Sequence, residues 1–360
     1  MMVVLFPIMT RDWLLVETLG SEPAVVAQGR QLKNLVPLTQ FLRRSPHLAA
    51  IQAAIAESAR SGQSLASITP RRDRVIRTEP VVMSDGRVHG IHVWAGPADT
   101  EPPERPIPGP LKWDLTLGVA TDTRESLANS GKDPDVEATQ DRAFVEELPT
   151  REFSPNENKV LALAIRAEPG QTICSSWDVT DFHGDSIRVG FVVRTAHETV
   201  GGREHLVTRG MNWRAQFDGS VQRPDFLAQQ ILRALAQPGV HRAMVDLSNR
   251  RLLKWLDDPC PFYDWRSPAG VPRVHPDDHA QISRMESTLA RTQSPASGVL
   301  RLRQADGGWA PVHVTVNRVE LEEDTVAGLI ALRLPTAAEL AEAGHGDAES
   351  SGARYALDAP

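Results

Sequence analysis

The run RLRQADGGWAPVHVTVNRVELEEDTVAGLIALRLPT, Arg301 to Thr336, decides the fold. Its middle alternates: Val312, Val314 and Val316 point to one face of a strand, and His313, Thr315 and Asn317 to the other, because successive strand side chains project to opposite faces. Asp306-Gly307 is a two-residue hairpin signal before this strand, and Glu322, Glu323 and Asp324 make the turn after it. A closing strand, TVAGLIAL (Thr325–Leu332), follows. Strands joined by tight turns make an antiparallel sheet, which commonly keeps one face for helices.

The helix for that face lies just upstream, in VHPDDHAQISRM, Val274 to Met285. His275 precedes Pro276, and a residue before proline is pushed out of the α region. His275 therefore belongs at or before the cap and His279 inside the helix. A metal-binding H-x-x-x-H needs both imidazoles on one helix face, so the stretch reads as a helix start and not as a metal site. Asp277 and Asp278 fall in the first turn, where the helix dipole favours each by about 0.3–1 kcal/mol. Ile282, Met285 and Leu289 form the apolar stripe.

Moving towards the N-terminus, the same plan recurs at intervals of roughly a hundred residues. Strands open each segment: WLLVETLG from Trp13, LKWDLTLGVAT from Leu111, HRAMVDLSNRRLLKW from His241. A helix follows. Ser45 and Pro46 start one, with Leu48, Ile51 and Ile55 on one face; Ser154, Pro155 and Glu157 start the second as a capping box. Each segment ends in a strand pair whose final strand has a glycine before an apolar run: Gly90, Gly190 and Gly328. A glycine there permits close approach or a bulge. The middle segment adds a further strand-like run, HLVTRGMNW (His205–Trp213), after the turn at Gly201-Gly202. The fold class expected is α+β, with three consecutive domains, each an antiparallel sheet with helices on one face.

PADTEPPERPIPGP, Pro97 to Pro110, holds six prolines in fourteen residues and reads as a linker. The boundaries expected are 10–97 for the first domain, 98–110 for the linker, 111–222 for the second domain and 240–336 for the third. RPDFLAQQILRALAQPG reads as a connecting helix over 223–239, with Leu227, Ile231 and Leu235 on one side and Pro238-Gly239 as its stop. The Ala/Glu/Gly/Ser-rich tail, 337–360, reads as disordered. Met9 is an alternative start to Met1.

The residues His275, Pro276, Asp277, Asp278, Asp306, Gly307, Trp309 and Gly328, in that order and spacing, resemble a PAS domain. The resemblance covers about Val240 to Pro335. The whole chain resembles a group of actinobacterial proteins that join one GAF-like domain to two PAS domains with no effector attached. That resemblance implies sheets whose helices enclose a small cavity, and it alone makes the first domain GAF-like; the residues themselves leave PAS-like open.

The net charge of −7 and the lack of a Lys/Arg cluster argue against nucleic acid. No stretch is long and apolar enough to insert in a membrane. Cys174 and Cys260 form no CxxC pair and no disulfide framework, which fits a cytoplasmic protein with cysteines packed as small hydrophobes. Cys260, between Pro259 and Pro261, lacks the helical Asn-Cys-Arg context of photosensing flavin domains. No phosphate loop, nucleophile elbow or kinase signature occurs, no cofactor is required by any motif, and no histidine is marked out for haem. His89 and His92 point to opposite faces of one strand, with His89 expected at the surface or an edge; Glu204-His205 is expected to be solvated. WLDDPCPFYDW nominates Trp255, Phe262 and Trp265 as walls of a ligand pocket.

The function expected is that of a non-enzymatic sensor or scaffold. It would bind small-molecule or protein signals, pass them to a separate protein effector, and be able to form homo-oligomers. One alternative is a metal-dependent enzyme using Asp178, Asp181, His183 and Asp185 in SWDVTDFHGD, against which stands an ordinary hairpin around Gly184. The other is a ligand-free structural adaptor.

Overall fold

The computed structural model describes residues 12–69, 74–148, 155–217, 230–231, 234–267, 270–292, 294–322 and 324–344. The first sheet holds β1 (Leu14–Glu17), β2 (Ala24–Gln28), β3 (Gln31–Pro37), β4 (Leu65–Ile68), β5 (Val75–Val82) and β6 (Val88–Gly96), with α1 (Leu38–Phe41) and α2 (Leu48–Ser61) between β3 and β4. The second holds β7 (Gly109–Asp114), β8 (Val119–Asp122), β9 (Arg142–Ala143), β10 (Thr172–Thr180), β11 (Ser186–Val200) and β12 (Arg203–Arg214), with α3 (Arg124–Asn129) and α4 (Pro155–Ile165). The third holds β13 (His241–Asp246), β14 (Arg251–Trp255), β15 (Ala296–Arg303), β16 (Trp309–Glu322) and β17 (Thr325–Arg333), with α5 (His279–Thr292) and the short α6 (Ala337–Glu342).

All three sheets share one strand order. The first runs β3-β2-β1-β6-β5-β4 and the second, from its other edge, β9-β8-β7-β12-β11-β10. The third, β14-β13-β17-β16-β15, is the same order without one edge strand. In each, the first and last strands pair antiparallel at the centre. The hundred-residue repeat in the sequence is thus a repeat of topology.

Gly90 and Gly328 stand on the closing strands β6 and β17 as expected, but Gly190 stands on β11, one strand before the closing β12, so it is not their topological equivalent. A Cβ on Gly90 would stand 2.6 Å from Met211 Cε, one on Gly190 2.6 Å from Trp213 Cε2, and one on Gly328 2.7 Å from Leu247 Cδ2. Each glycine clears the space that a neighbouring large side chain occupies, the close approach expected of it.

The first two sheets make one compact unit, residues 1–226, and the third lies in another, 227–360. Within the first unit, Leu15, Val26, Ala27 and Val81 pack against Val192, Met211, Trp213 and Ala215 of the second sheet. The first sheet's other face carries α2, whose Ile51, Ala54 and Ile55 join Leu14, Val16, Ile91 and Val93. Burying each large aliphatic side chain there contributes about 1.5–3 kcal/mol. The Pro-rich segment is held against this unit: Trp13 Nε1 donates to Pro103 O at 2.9 Å, and Asn129 Nδ2 to Ile107 O at 2.9 Å.

Four sequence expectations need correction. Helix α2 begins at Leu48, not near Ser45; the Ser45 hydroxyl instead accepts the His47 N–H in a local turn. Its other end is capped by Gly62 in the left-handed region at φ 66°. His89 is fully buried, because β6 is covered on both faces and both parities of the strand are interior. His205 is buried as well, its Nδ1 2.6 Å from Asp114 Oδ2, although neighbouring Glu204 is exposed. The tail does not lose structure at 337: α6 starts there, closed by a capping box between Thr336 and Glu339 and tied back by Arg333. Residues 345–360 lie outside the described residues, as do Ser154 and most of the expected connecting helix, 223–229 and 232–233.

Candidate functional site

The third sheet and α5 enclose a cavity of about 470 Å³. Its position follows from the alternation that opened the sequence reading. Val314 and Val316 of β16, Leu300 and Leu302 of β15, and Ile330 and Leu332 of β17 all line it, and each of these pairs is two residues apart on one strand face. Ile282, Met285 and Leu289, the apolar stripe of α5, form the opposite wall. Tyr263 and Val274 come from the connection between β14 and α5.

The helix is fixed over the sheet by the residues at its start. Pro276–Asp278 form one turn of 3-10 helix, which His275 caps by accepting the Asp277 N–H on its own Nδ1. Asp278 is buried, and its carboxylate accepts from the Arg301 backbone N–H at 2.6 Å and from Arg301 Nη2 at 2.6 Å. The pairing ties the helix start to β15. His275 N–H also donates to Arg301 O at 2.9 Å. The VHPDD letters therefore dock a helix. Asp306 and Gly307 sit in the loop 305–307, closed by Gln304 N–H donating to Gly308 O at 2.9 Å, rather than in a two-residue turn, with Gly307 at φ 86°.

The nominated aromatic trio does not line this cavity. A β-bulge between Leu252 and Lys254 sets Trp255 opposite Ala243 and Leu252 opposite Val245, on one face of the sheet, yet Trp255 lies beyond the cavity wall; its ring meets Trp265 edge-on at 6.3 Å. Phe262 packs edge-on against His241 at 5.7 Å. Only Tyr263 of that loop reaches the cavity. Burial holds its phenol above the ordinary tyrosine range, so it is neutral at physiological pH. The helix stripe and the sheet face are legible in the sequence, but the residues at the cavity's edge are not: Ser248, Arg250, Glu286 and Arg318, all exposed. No motif marks them; they follow from register alone.

The other candidate cluster, SWDVTDFHGD, forms the β10–β11 hairpin, with Gly184 at φ 91°. Asp181 Oδ1 accepts the His183 and Asp185 backbone N–H groups at 3.0 Å each. Asp178 pairs with Arg188 at 2.7 Å. These acids are committed to shaping the turn. Both cysteines are thiols in packed settings: Cys260 is buried, Cys174 Sγ lies 3.4 Å from Lys33 O, and burial pushes both up to about 12. Among the described residues, no group of three or more His, Cys, Asp or Glu side chains is placed to hold a metal ion.

Buried ionic groups lie elsewhere in the first unit. Arg209 donates to Glu198 at 2.6 Å, to Asp85 at 2.6 Å, and to His89 Nε2 at 3.3 Å. His89 Nδ1–H in turn donates to Gly210 O at 2.7 Å. Burial, reinforced by the charge of Arg209, lowers His89 to about 4, and burial with Arg105 lowers His92 to about 3. In the second domain, burial and then the charge of Glu147 raise Asp122 to about 7, although Ser126 and Arg142 bind its carboxyl. These networks join elements; they border no cavity described above.

Comparison with protein families matches three models end to end: Rv3651-like, N-terminal, over residues 12–104; Rv3651-like, middle domain, over 107–215; and Rv3651-like, C-terminal domain, over 225–343. A crystal structure of an uncharacterized protein from Mycobacterium tuberculosis is 64% identical over 93% of this chain and 99% of its own, with a TM-score of 0.85. The chain belongs to the Rv3651-like family. Its three sheets are the three Rv3651-like domains, and the cavity lies in the C-terminal one. Two more distant matches, an RNA-binding Light-Oxygen-Voltage receptor (10% identity, 67% of this chain and 98% of that one, TM-score 0.24) and the E. coli DhaR(N)-DhaL complex (12%, 56% and 79%, TM-score 0.18), are too dissimilar to carry a structural conclusion. No curated protein matches the chain. No helix among the described residues is long and apolar enough to cross a membrane.

Proposed function

We propose that this Rv3651-like protein is a non-catalytic signal sensor, with a GAF-like first domain and two PAS-like domains after it. The C-terminal domain binds a small molecule, and the bound state is passed to a separate protein effector. The observation that carries this reading is the cavity of about 470 Å³ between α5 and the third sheet. Its volume falls in the range of about 300–1,000 Å³ typical of small-molecule sites, and its walls are mainly apolar with a few polar groups, as such sites are. The PAS-like letters support it: His275 to Asp278 seat the helix that roofs the cavity, and Gly328 lets Leu247 lie against the sheet.

A relay is physically reasonable at this place. Helix α5 is held by one apolar stripe, by the Asp278–Arg301 pair at its start and by the exposed Arg250–Glu286 pair, so a ligand under it works directly against the element it would move. The test is native mass spectrometry of the purified full chain beside its mass after denaturation. A discrete mass that is released on denaturation, and lost in a Val316→Trp variant that fills the cavity, supports the reading. A bare chain mass, together with no saturable binding from a panel of small apolar compounds, refutes it.

A further inference from the structure

The charges at the edge of the C-terminal cavity carry the reading one step further, to the class of ligand. Three ionisable side chains of fixed charge line it: Arg250, Glu286 and Arg318. Arg250 Nη1 meets Glu286 Oε1 at 2.9 Å, so these two neutralise each other. Arg318 has no hydrogen bond or ion pair among the described residues. Two cations and one anion leave a single uncompensated positive charge.

The register explains why Arg318 stands alone. It pairs with Gly328 on β17, and Gly328 pairs with Val245 on β13. The row that runs across the sheet from Arg318 therefore meets first a missing side chain and then an apolar one. The room left by Gly328 is taken by Leu247. Along β16 the next cavity residues after Arg318 are Val316 and Val314. A cation thus stands where an apolar wall reaches solvent; beside the Arg250–Glu286 pair, the remaining ionisable group of the lining is a neutral phenol, Tyr263.

We propose that the cavity takes a small apolar monocarboxylate, its hydrocarbon body between α5 and the sheet and its carboxylate against Arg318. The proposal rests on the sensor reading above and adds the ligand's chemistry. A guanidinium suits a carboxylate because its N–H groups form a planar fork. One unpaired cation matches one negative charge; a dianion would keep a charge uncompensated. A neutral lipid would leave the guanidinium unused, and a cationic amphiphile would be repelled.

The test uses the full chain and three eight-carbon probes, octanoate, 1-octanol and octyltrimethylammonium, titrated below micelle-forming concentrations and followed by heteronuclear NMR. Octanoate should bind in the cavity about tenfold more tightly than 1-octanol, the order expected of one charge-assisted contact at a partly exposed site. Arg318→Gln should erase that preference and leave 1-octanol binding unchanged, and Arg318→Lys should keep part of it. Arg318 is exposed, so these variants should fold. Equal binding of octanoate and 1-octanol, stronger binding of the ammonium probe, or a preference that survives Arg318→Gln would overturn the carboxylate proposal while leaving the cavity reading intact. Binding of none of the three would overturn both.

Discussion

Changing Asp278 to alanine should loosen α5 without unfolding the sheet beneath it. Asp278 is 6% exposed and its carboxylate accepts from three Arg301 N–H groups, the backbone N and Nη2 at 2.6 Å and Nε at 3.2 Å. Alanine leaves the Arg301 backbone N–H without its acceptor, which costs about 1–3 kcal/mol when the group is shielded from water. The guanidinium loses its main partner, but it is 25% exposed and stays 3.5 Å from Asp277, so it recovers part of the loss through water and that second carboxylate. The full 3–5 kcal/mol typical of a broken buried pair is therefore an upper bound, and a loss of about 2–4 kcal/mol follows. Asn, which keeps one acceptor, should cost about half as much. Because the chain has two compact units, a single global melt would blur the effect. Hydrogen exchange resolved by segment is the better assay. Opening of α5 should speed up roughly 30- to 900-fold, at about 1.4 kcal/mol per decade, while β16 and β17 change far less. Exchange in α5 within twofold of the parent would mean that the Asp278–Arg301 pair does not hold the helix, and the account of the VHPDD stretch would be refuted.

Gly90→Ala should destabilise more than Gly328→Ala: the new methyl meets the Val16 carbonyl at 2.7 Å in the first case and the tip of the Leu247 side chain at 2.7 Å in the second. Overpacking of this kind costs about 1–3 kcal/mol, and chemical denaturation that ranks the two the other way would contradict the packing described. Arg209→Met should cost the first unit about 2–3 kcal/mol, less than a fully buried pair because Asp85 is 40% exposed, with Arg209→Lys intermediate; thermal unfolding followed through that unit's tryptophans reads it. His89 and His92 are held neutral, with folded values near 4 and 3 against 6.5 unfolded. The unfolded chain therefore binds more protons below pH 6.5, and each histidine should remove up to about 1.4 kcal/mol per pH unit as the pH falls from there. His92→Gln should flatten that slope; an unchanged slope would mean that His92 is not the neutral buried group described. Asp122, raised to about 7, acts with the opposite sign between its unfolded value and pH 7 and so shallows the net acid loss.

How far the sequence could be read depended on the range of the interaction. Local signals carried: the alternation at Val312–Val316 placed a sheet face, the proline after His275 placed a helix cap, and glycines at 90, 190 and 328 marked close approaches in all three sheets. The hundred-residue recurrence of strands, helix and strands was legible because turns and strand lengths are local, whereas the order of the strands in each sheet came only with the structure. What failed was anything set by a second layer. His89 and His205 look like surface histidines until another sheet or strand covers them. Trp255, Phe262 and Trp265 look like a pocket by composition, yet Trp255 and Trp265 pack on each other, Phe262 packs on His241, and none of the three lines the cavity. Thr336 and Glu339 spell a capping box inside a stretch whose composition reads as disordered, and the local motif outweighs composition there. Arg318 carries no signal in its own neighbourhood; its isolation exists only once β16 is laid against Gly328.

The sensor reading stands or falls on open apolar space between α5 and the third sheet that can admit a small molecule. Crystals of the full chain pressurised with xenon test it directly, since xenon enters apolar cavities without needing a matched ligand. Xenon density is expected between Leu289, Val316 and Leu332 and should be displaced in the Val316→Trp variant. Side chains closing that space, with no xenon beneath α5 in the parent protein, would contradict it.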